Sequence, residues 1–127
     1  MKRIVILMIL GLLFAGGCAR LSRLRYENNK NISKLSIGMS KDEAIAIMGS
    51  KSAGGHLGEP KVGNPYKSAI LQGENKTLEV LYYYTEIKQS FYFRPVSHIS
   101  DDELTPLVFD DGKLIGWGRE FLEQNMK

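Results

Sequence analysis

Hydrophobic residues recur with different spacings along the chain, and each spacing predicts a different kind of element. Residues 4–14 are almost entirely apolar, a run too short for the roughly 20 residues of a membrane-spanning helix. Residues 41–48 carry apolar side chains at helical spacing, and Ser40 followed by Glu43 has the spacing of a capping box. We therefore predict a short helix over residues 41–48 that ends at Gly49.

Alternation of apolar and polar residues predicts strands in the C-terminal half. In residues 76–87, KTLEVLYYYTEI, the even-numbered residues share one strand face and the odd-numbered residues share the other. We assign the even-numbered face to the core. Residues 104–118 contain Asp111-Gly112, a pair that suits a two-residue type I′ turn between two further strands. Two segments are predicted loops, because the first is rich in Gly, Pro and Asn and the second is irregular: residues 54–72 and 88–103.

The N-terminus combines a basic start, the apolar run and a group of small residues. Met1-Lys2-Arg3 precedes the run, and Ala15-Gly16-Gly17 follows it, immediately before Cys18, the only cysteine. This order resembles the signal peptide and lipobox of bacterial lipoproteins, which implies cleavage of residues 1–17 and lipidation of Cys18. Because Ala19 stands where an Asp would imply inner-membrane retention, the resemblance implies an outer-membrane anchor facing the periplasm in a Gram-negative cell. In any other cell it implies a cell-membrane lipid anchor. The alternative is a buried N-terminal helix with Cys18 in the core.

Cleavage of the signal peptide changes the charge of the protein. The whole chain has a formal net charge of +3, and loss of Lys2 and Arg3 reduces it to +1. So small a net charge argues against a dedicated nucleic-acid-binding protein. Residues 18–34 are polar and basic, which predicts a lipidated tether between the membrane and the folded domain. The residues predicted to contact anionic lipid headgroups, each contributing about 1 kcal/mol, are its arginines Arg20, Arg23 and Arg25.

These elements define an α+β fold, with one or two short helices packed on a three-stranded antiparallel sheet. The folded domain is predicted to occupy residues 35–127. One layer of short helices covers a single face of such a sheet, so the odd-numbered face is left over. Either the 88–103 loop folds over that face, or it forms an exposed surface for a protein partner. The residues of this predicted partner surface are Leu81, Tyr83 and Trp117.

No catalytic set is recognisable in the sequence, so we predict a protein that is not an enzyme and has no cofactor. The two histidines, His56 and His98, lie in predicted loops without the ligand spacing of a metal site. Ser100 and Glu103 again have capping-box spacing. The leading hypothesis is a membrane-anchored, non-enzymatic module that binds an envelope protein. The alternative is a lipoprotein that binds a small ligand or a lipid between the 54–72 and 88–103 loops.

Taken in order along the chain, these motifs resemble the SmpA/OmlA (BamE-like) family of small outer-membrane lipoproteins. Gly38-Met39-Ser40 matches the start of the helix motif of that family, and Met48-Gly49 matches its end, although Lys51 replaces the family's proline. The turn region matches the family's hairpin through Phe109, Gly112 and Leu114. The resemblance implies the α+β fold of that family and a role in outer-membrane protein assembly or envelope integrity.

Overall fold

A computed structural model describes residues 20–55, 60–88 and 98–127. The first helix, α1, covers residues 20–32. The later elements, in chain order, are α2 (Lys41–Met48), β1 (Lys67–Gln72), β2 (Thr77–Tyr84), a 3₁₀ turn (Asp101–Glu103), β3 (Leu104–Asp110), β4 (Lys113–Trp117) and α3 (Arg119–Met126). The α+β class predicted from the sequence is therefore confirmed.

The sheet has four antiparallel strands in the order β1-β2-β3-β4, so the prediction of three strands is wrong. The additional strand is β1, which lies in the segment that we predicted to be a loop. None of its side chains is fully buried, and its sequence shows no clear alternation of apolar and polar residues that would predict a strand. β1 forms because it pairs with β2 along its whole length, and the Gly73 amide closes the hairpin by donating to the Lys76 carbonyl at 2.8 Å.

The predicted local motifs of α2 and of the β3–β4 hairpin are confirmed. The Ser40 amide donates to the Glu43 carboxylate at 2.8 Å, and the Glu43 amide donates back to the Ser40 hydroxyl at 3.2 Å. In the hairpin, Asp111 and Gly112 both have positive φ, 48° and 72°, as a type I′ turn requires. A bulge between Val108 and Phe109 then brings Trp117 opposite Leu107.

Each face of the sheet is covered by its own helix, so the prediction that helices cover only one face is wrong. The odd-numbered face of β2 packs against α2, and Leu81 and Tyr83 are only 4% and 0% exposed. The even-numbered face, which we assigned to the core, is also buried. There Leu78 and Val80 pack beneath α3, whose apolar side chains are Phe121, Leu122 and Met126.

The segment predicted to be a tether is instead part of the folded domain from residue 20 onwards. Leu21 and Leu24 of α1 are buried in a cluster with Tyr84 and Leu104 at one end of the sheet. The next position on this helix face is Asn28, which is completely buried. In the sequence, the neighbouring asparagines suggest an interrupted helix. In the structure, the buried asparagine is tolerated because its amide is fully hydrogen-bonded.

Asn28 and Asn64 form a reciprocal amide pair that joins three elements. The Asn28 amide nitrogen donates to Asn64 Oδ1 at 2.9 Å, and the Asn64 amide nitrogen donates to Asn28 Oδ1 at 2.7 Å. The second hydrogen of Asn28 bonds the Tyr84 carbonyl at 2.8 Å, at the end of β2. The second hydrogen of Asn64 bonds the Met48 carbonyl at 3.1 Å, at the end of α2. The pair therefore fixes α1, α2 and β2 relative to one another.

We predict that Asn28→Ala lowers the free energy of unfolding by about 2–3 kcal/mol, because it removes the hydrogen bond to the Tyr84 carbonyl and both hydrogen bonds that join Asn28 to the Asn64 side chain. Asn31→Ala is the matched control on the same helix, since the half-buried Asn31 side chain makes only a long hydrogen bond of 3.5 Å to the Met48 carbonyl and an exposed one of 3.0 Å from the Lys34 ammonium. Its cost should stay below about 1 kcal/mol. Urea unfolding followed by circular dichroism measures both, and equal losses would contradict the role given to the amide pair.

Candidate functional site

The predicted partner surface lies largely inside the protein. Leu81 and Tyr83 belong to the core beneath α2, and Trp117 is half-buried against the same cluster. Tyr83 is the unusual member, because its hydroxyl is buried without a hydrogen-bond partner among the described residues. Burial raises the pKa of Tyr83 to about 12. The side chain therefore contributes to packing, and a partner cannot reach it in the folded state.

We predict opposite effects for two substitutions of Tyr83. Tyr83→Phe keeps the ring and removes the unpaired hydroxyl, so stability should stay equal or rise by up to about 1 kcal/mol. Tyr83→Ala removes the ring and should cost about 3–5 kcal/mol. Denaturant unfolding at neutral pH distinguishes the two, and a large loss of stability in Tyr83→Phe would mean that the hydroxyl is bonded.

The raised pKa of Tyr83 gives the same pair of proteins a second readout. Below about pH 10 both the folded and the unfolded state keep the phenolic proton, so this residue adds no pH dependence. Between about pH 10 and 12 the unfolded state releases the proton first, and the stability falls as the pH rises. Tyr83→Phe should lack this part of the alkaline loss, which unfolding measured across that interval would show.

The three arginines predicted to contact headgroups do not share one environment. Arg20 and Arg23 are exposed on α1. Arg25 instead lies over the ring of Tyr84, 5.6 Å from its centre, and donates a hydrogen bond of 3.1 Å to the Ser22 hydroxyl. Cation–π contacts of this kind hold a guanidinium against the protein. The side chains of Arg20 and Arg23 are therefore accessible to a contact outside the domain, whereas Arg25 contacts the domain itself.

A groove runs between α1 and the chain that follows α2. It consists of two clefts of about 290 and 260 Å³ that share Glu27 and Lys51. We call it the basic groove and define it by its charged lining residues, Arg20, Arg23, Glu27, Lys30, Lys34 and Lys51. Helical spacing explains why the residues from α1 share one face. Nothing in the sequence places Lys51 beside them, because that contact depends on how α2 packs.

Glu27 is the one acidic residue that lines the basic groove. Its carboxylate is 3.2 Å from Lys51 Nζ and 3.2 Å from Arg23 Nε. The hydrogen bond from Lys51, and then that from Arg23, hold the pKa of Glu27 below its ordinary value. The carboxylate is thus ionised at neutral pH and compensates part of the charge of two cations. Arg20, Lys30 and Lys34 make no ion pair with any described residue, so the groove keeps an excess of positive charge.

The 3₁₀ turn is held by the buried carboxylate of Glu103. Glu103 accepts hydrogen bonds from the Ser100 amide at 3.0 Å and from the Lys88 amide at 3.1 Å. Its own carbonyl accepts from the amides of Thr85 and Glu86, both at 3.1 Å. Glu103 therefore joins the two ends of the segment that links β2 to the 3₁₀ turn. This is a structural role that the capping-box spacing partly predicted.

The described part of the chain contains no candidate metal site. Within residues 20–55, 60–88 and 98–127, no three His, Cys, Asp or Glu side chains are grouped so that they could hold a metal ion. His98 is exposed beside the 3₁₀ turn, and His56 lies outside the described residues. Most of the predicted ligand-binding loop 88–103 also lies outside them, while residues 67–72 of the other loop form β1.

The two edges of the sheet differ in how they are covered. At the β4 edge, the Gly38 amide donates to the Leu114 carbonyl at 2.7 Å, and the Leu114 amide donates to the Met39 carbonyl at 2.9 Å. The outer edge of β1 forms no backbone hydrogen bond with any described residue. Ile70, in the middle of β1, is 71% exposed. An open edge with an exposed apolar side chain is a template for pairing with another chain.

These features define a small α+β domain with a basic groove along its first helix and an open edge strand. Among the described residues, no helix is both long enough and apolar enough to cross a membrane. A family model described as "Protein of unknown function (DUF3192)" matches residues 22–124, and the chain belongs to that family. The match begins inside α1, which agrees with the packing of α1 into the domain. Neither a curated protein nor a solved structure matches the chain.

Proposed function

We propose that the protein is a lipid-anchored envelope protein whose α+β domain binds a protein partner through the outer edge of β1 and catalyses no reaction. The observation that carries this proposal is the asymmetry of the sheet. Residues 38–40 cover the β4 edge, whereas no described residue covers the β1 edge. Ile70 then offers an apolar anchor at the centre of the open edge.

The partner that fits this edge is an extended segment of another envelope protein. In an antiparallel pair, main-chain groups point alternately toward and away from the neighbouring strand. Because Gly73 bonds back to Lys76 across the hairpin, the amides and carbonyls of Ser68, Ile70 and Gln72 point away from β2. An added strand would satisfy these groups, and its side chains would contact Ile70. The resemblance to the SmpA/OmlA family suggests outer-membrane protein assembly or envelope integrity as the process served.

The anchor is proposed at Cys18, on the periplasmic side of the outer membrane in a Gram-negative cell or at the cell membrane otherwise. The order of residues 1–18 supports it. The fold adds a consequence, because α1 is already part of the domain at residue 20, two positions after Cys18. Two residues span at most about 7 Å, so the domain would sit directly on the bilayer rather than at the end of a tether.

For the anchor, we predict that the mature protein begins at an acylated Cys18 and fractionates with the outer membrane of a Gram-negative host. Cys18→Ala should lose the acyl chains, which mass spectrometry of the N-terminus detects. Ala19→Asp is the matched control one residue away. It should keep the acyl chains but move the protein to the inner membrane. A mature N-terminus without lipid, or an acylated Cys18→Ala protein, would contradict the anchor.

For the partner, we predict that affinity purification from detergent-solubilised envelopes recovers one stoichiometric protein. Ile70→Lys puts a charge on the open edge and should reduce recovery at least about tenfold, the equivalent of roughly 1.4 kcal/mol. Ile37→Lys is the matched control, because Ile37 is similarly exposed, 62%, but lies outside the sheet. Recovery of lipid alone by the unchanged protein, or equal losses in both variants, would refute binding at this edge.

A further inference from the structure

The exposed side of α1 carries an unusual concentration of positive charge. The basic groove has five cations and one carboxylate among its lining residues. Arg23 and Lys51 share that carboxylate and still expose 78% and 72% of their side chains. The other three cations have no described ion-pair partner, although the whole domain after loss of residues 1–17 has a net charge of only +1. The positive charge is thus concentrated at this groove rather than spread over the surface.

The shape of the groove fits small anions rather than a long polyanion. Each cleft is close to the lower end of the range for ligand pockets, and the Glu27–Lys51 pair separates the two. Arg20, Arg23 and Lys51 line one cleft, and Lys30, Lys34 and Lys51 line the other. Guanidinium and ammonium groups in such an arrangement are the usual partners of phosphate oxygens.

The position of the groove indicates the source of the phosphate. Arg20 lies two residues from Cys18, so a lipid anchor would hold this end of α1 at the headgroup level. Tyr26, at the margin of the same helix face, is 69% exposed. Tyrosine beside cations is typical of side chains that sit at the membrane–water interface. The charge, the size of the clefts and the exposed ring of Tyr26 thus all indicate that the phosphate belongs to a lipid headgroup.

We propose that the basic groove binds the phosphodiester headgroups of anionic phospholipids, so that α1 lies along the bilayer and sets the orientation of the domain. This inference rests on the proposed lipid anchor and adds a second, electrostatic contact to it. Loss of one groove cation should lower the ratio of docked to undocked domain about fivefold. The contact should also weaken as salt is raised, because exposed charges are screened.

The test uses the purified lipidated protein in vesicles of phosphatidylcholine alone or mixed with phosphatidylglycerol. Because Cys18 is the only native cysteine and lipidation blocks it, a single introduced cysteine can be spin-labelled. Ser52→Cys reports on the groove, and Asn75→Cys reports on the β1–β2 turn, at the other end of the sheet from α1. Only the label at residue 52 should become shielded from an aqueous relaxation agent, and only in vesicles that contain phosphatidylglycerol.

Charge variants separate binding in the groove from a general effect of net charge. Lys30→Gln with Lys34→Gln should abolish most of the shielding at residue 52. Lys113→Gln with Lys127→Gln removes the same charge elsewhere and should leave the shielding unchanged. Glu27→Gln should strengthen it, since it removes the carboxylate from the groove.

Equal shielding in both kinds of vesicle, or equal losses in the two lysine pairs, would overturn the inference. A second outcome would also overturn the inference. If free glycerol phosphate fully shields the residue 52 label in phosphatidylcholine vesicles, the groove binds a soluble phosphate ester instead of a lipid. A failure of the anchor gives a different result, because an unlipidated protein would not float with phosphatidylcholine vesicles at all. If that unlipidated protein floats with vesicles that contain phosphatidylglycerol, headgroup binding by the basic groove is still supported. If it does not float with them, headgroup binding is refuted as well.

Discussion

The reciprocal amide pair of Asn28 and Asn64 is the contact on which the arrangement of the domain depends. The buried Asn28 amide and the half-buried Asn64 amide donate four hydrogen bonds, two to each other and two to the last carbonyls of β2 and α2. Buried polar groups cost free energy unless every one is paired, so displacement of any one of these elements would expose the others to that cost. The pair thereby converts residues 20–32 from a polar segment into a fixed helix. The basic groove exists only because α1 is fixed beside the chain that follows α2.

The two helices on the sheet decide which surfaces remain for recognition. α2 and α3 cover opposite faces, so the tyrosines of β2 contribute mainly to the core. Aromatic residues supply much of the burial energy of a small domain, and three strand tyrosines are well suited to that task. Within residues 20–55, 60–88 and 98–127, the surfaces that remain available are one sheet edge and the outer side of α1. Both are formed by backbone geometry and charge.

Local signals were sufficient to predict part of this fold. The capping box of α2 and the Asp111-Gly112 turn depend on residues within a few positions of one another, and both occur as predicted. β1 and α1 were missed because each depends on contacts distant in sequence. Asn28 meets Asn64 across 36 positions, and β1 is stabilised by pairing with β2. The alternation in β2 identified two faces correctly but carried no information on how many helices would cover them. Two candidate headgroup residues, Arg20 and Arg23, could be found from charge alone, whereas Lys51 required the tertiary structure.

A lipid anchor and a basic groove on neighbouring residues would reinforce each other. Individual surface cations bind a membrane weakly, and their attraction is screened within about 8 Å at physiological salt. The proposed anchor, two residues from Arg20, would make the contact between groove and headgroups intramolecular, so that weak interactions become effective through a high local concentration. The same short connection would limit how far the domain can rotate away from the bilayer. A partner strand approaching β1 would then meet an edge of defined orientation, which reduces the orientational freedom lost on binding. In the proposed arrangement, the position of α1 next to Cys18 would determine the orientation of the domain as well as its location.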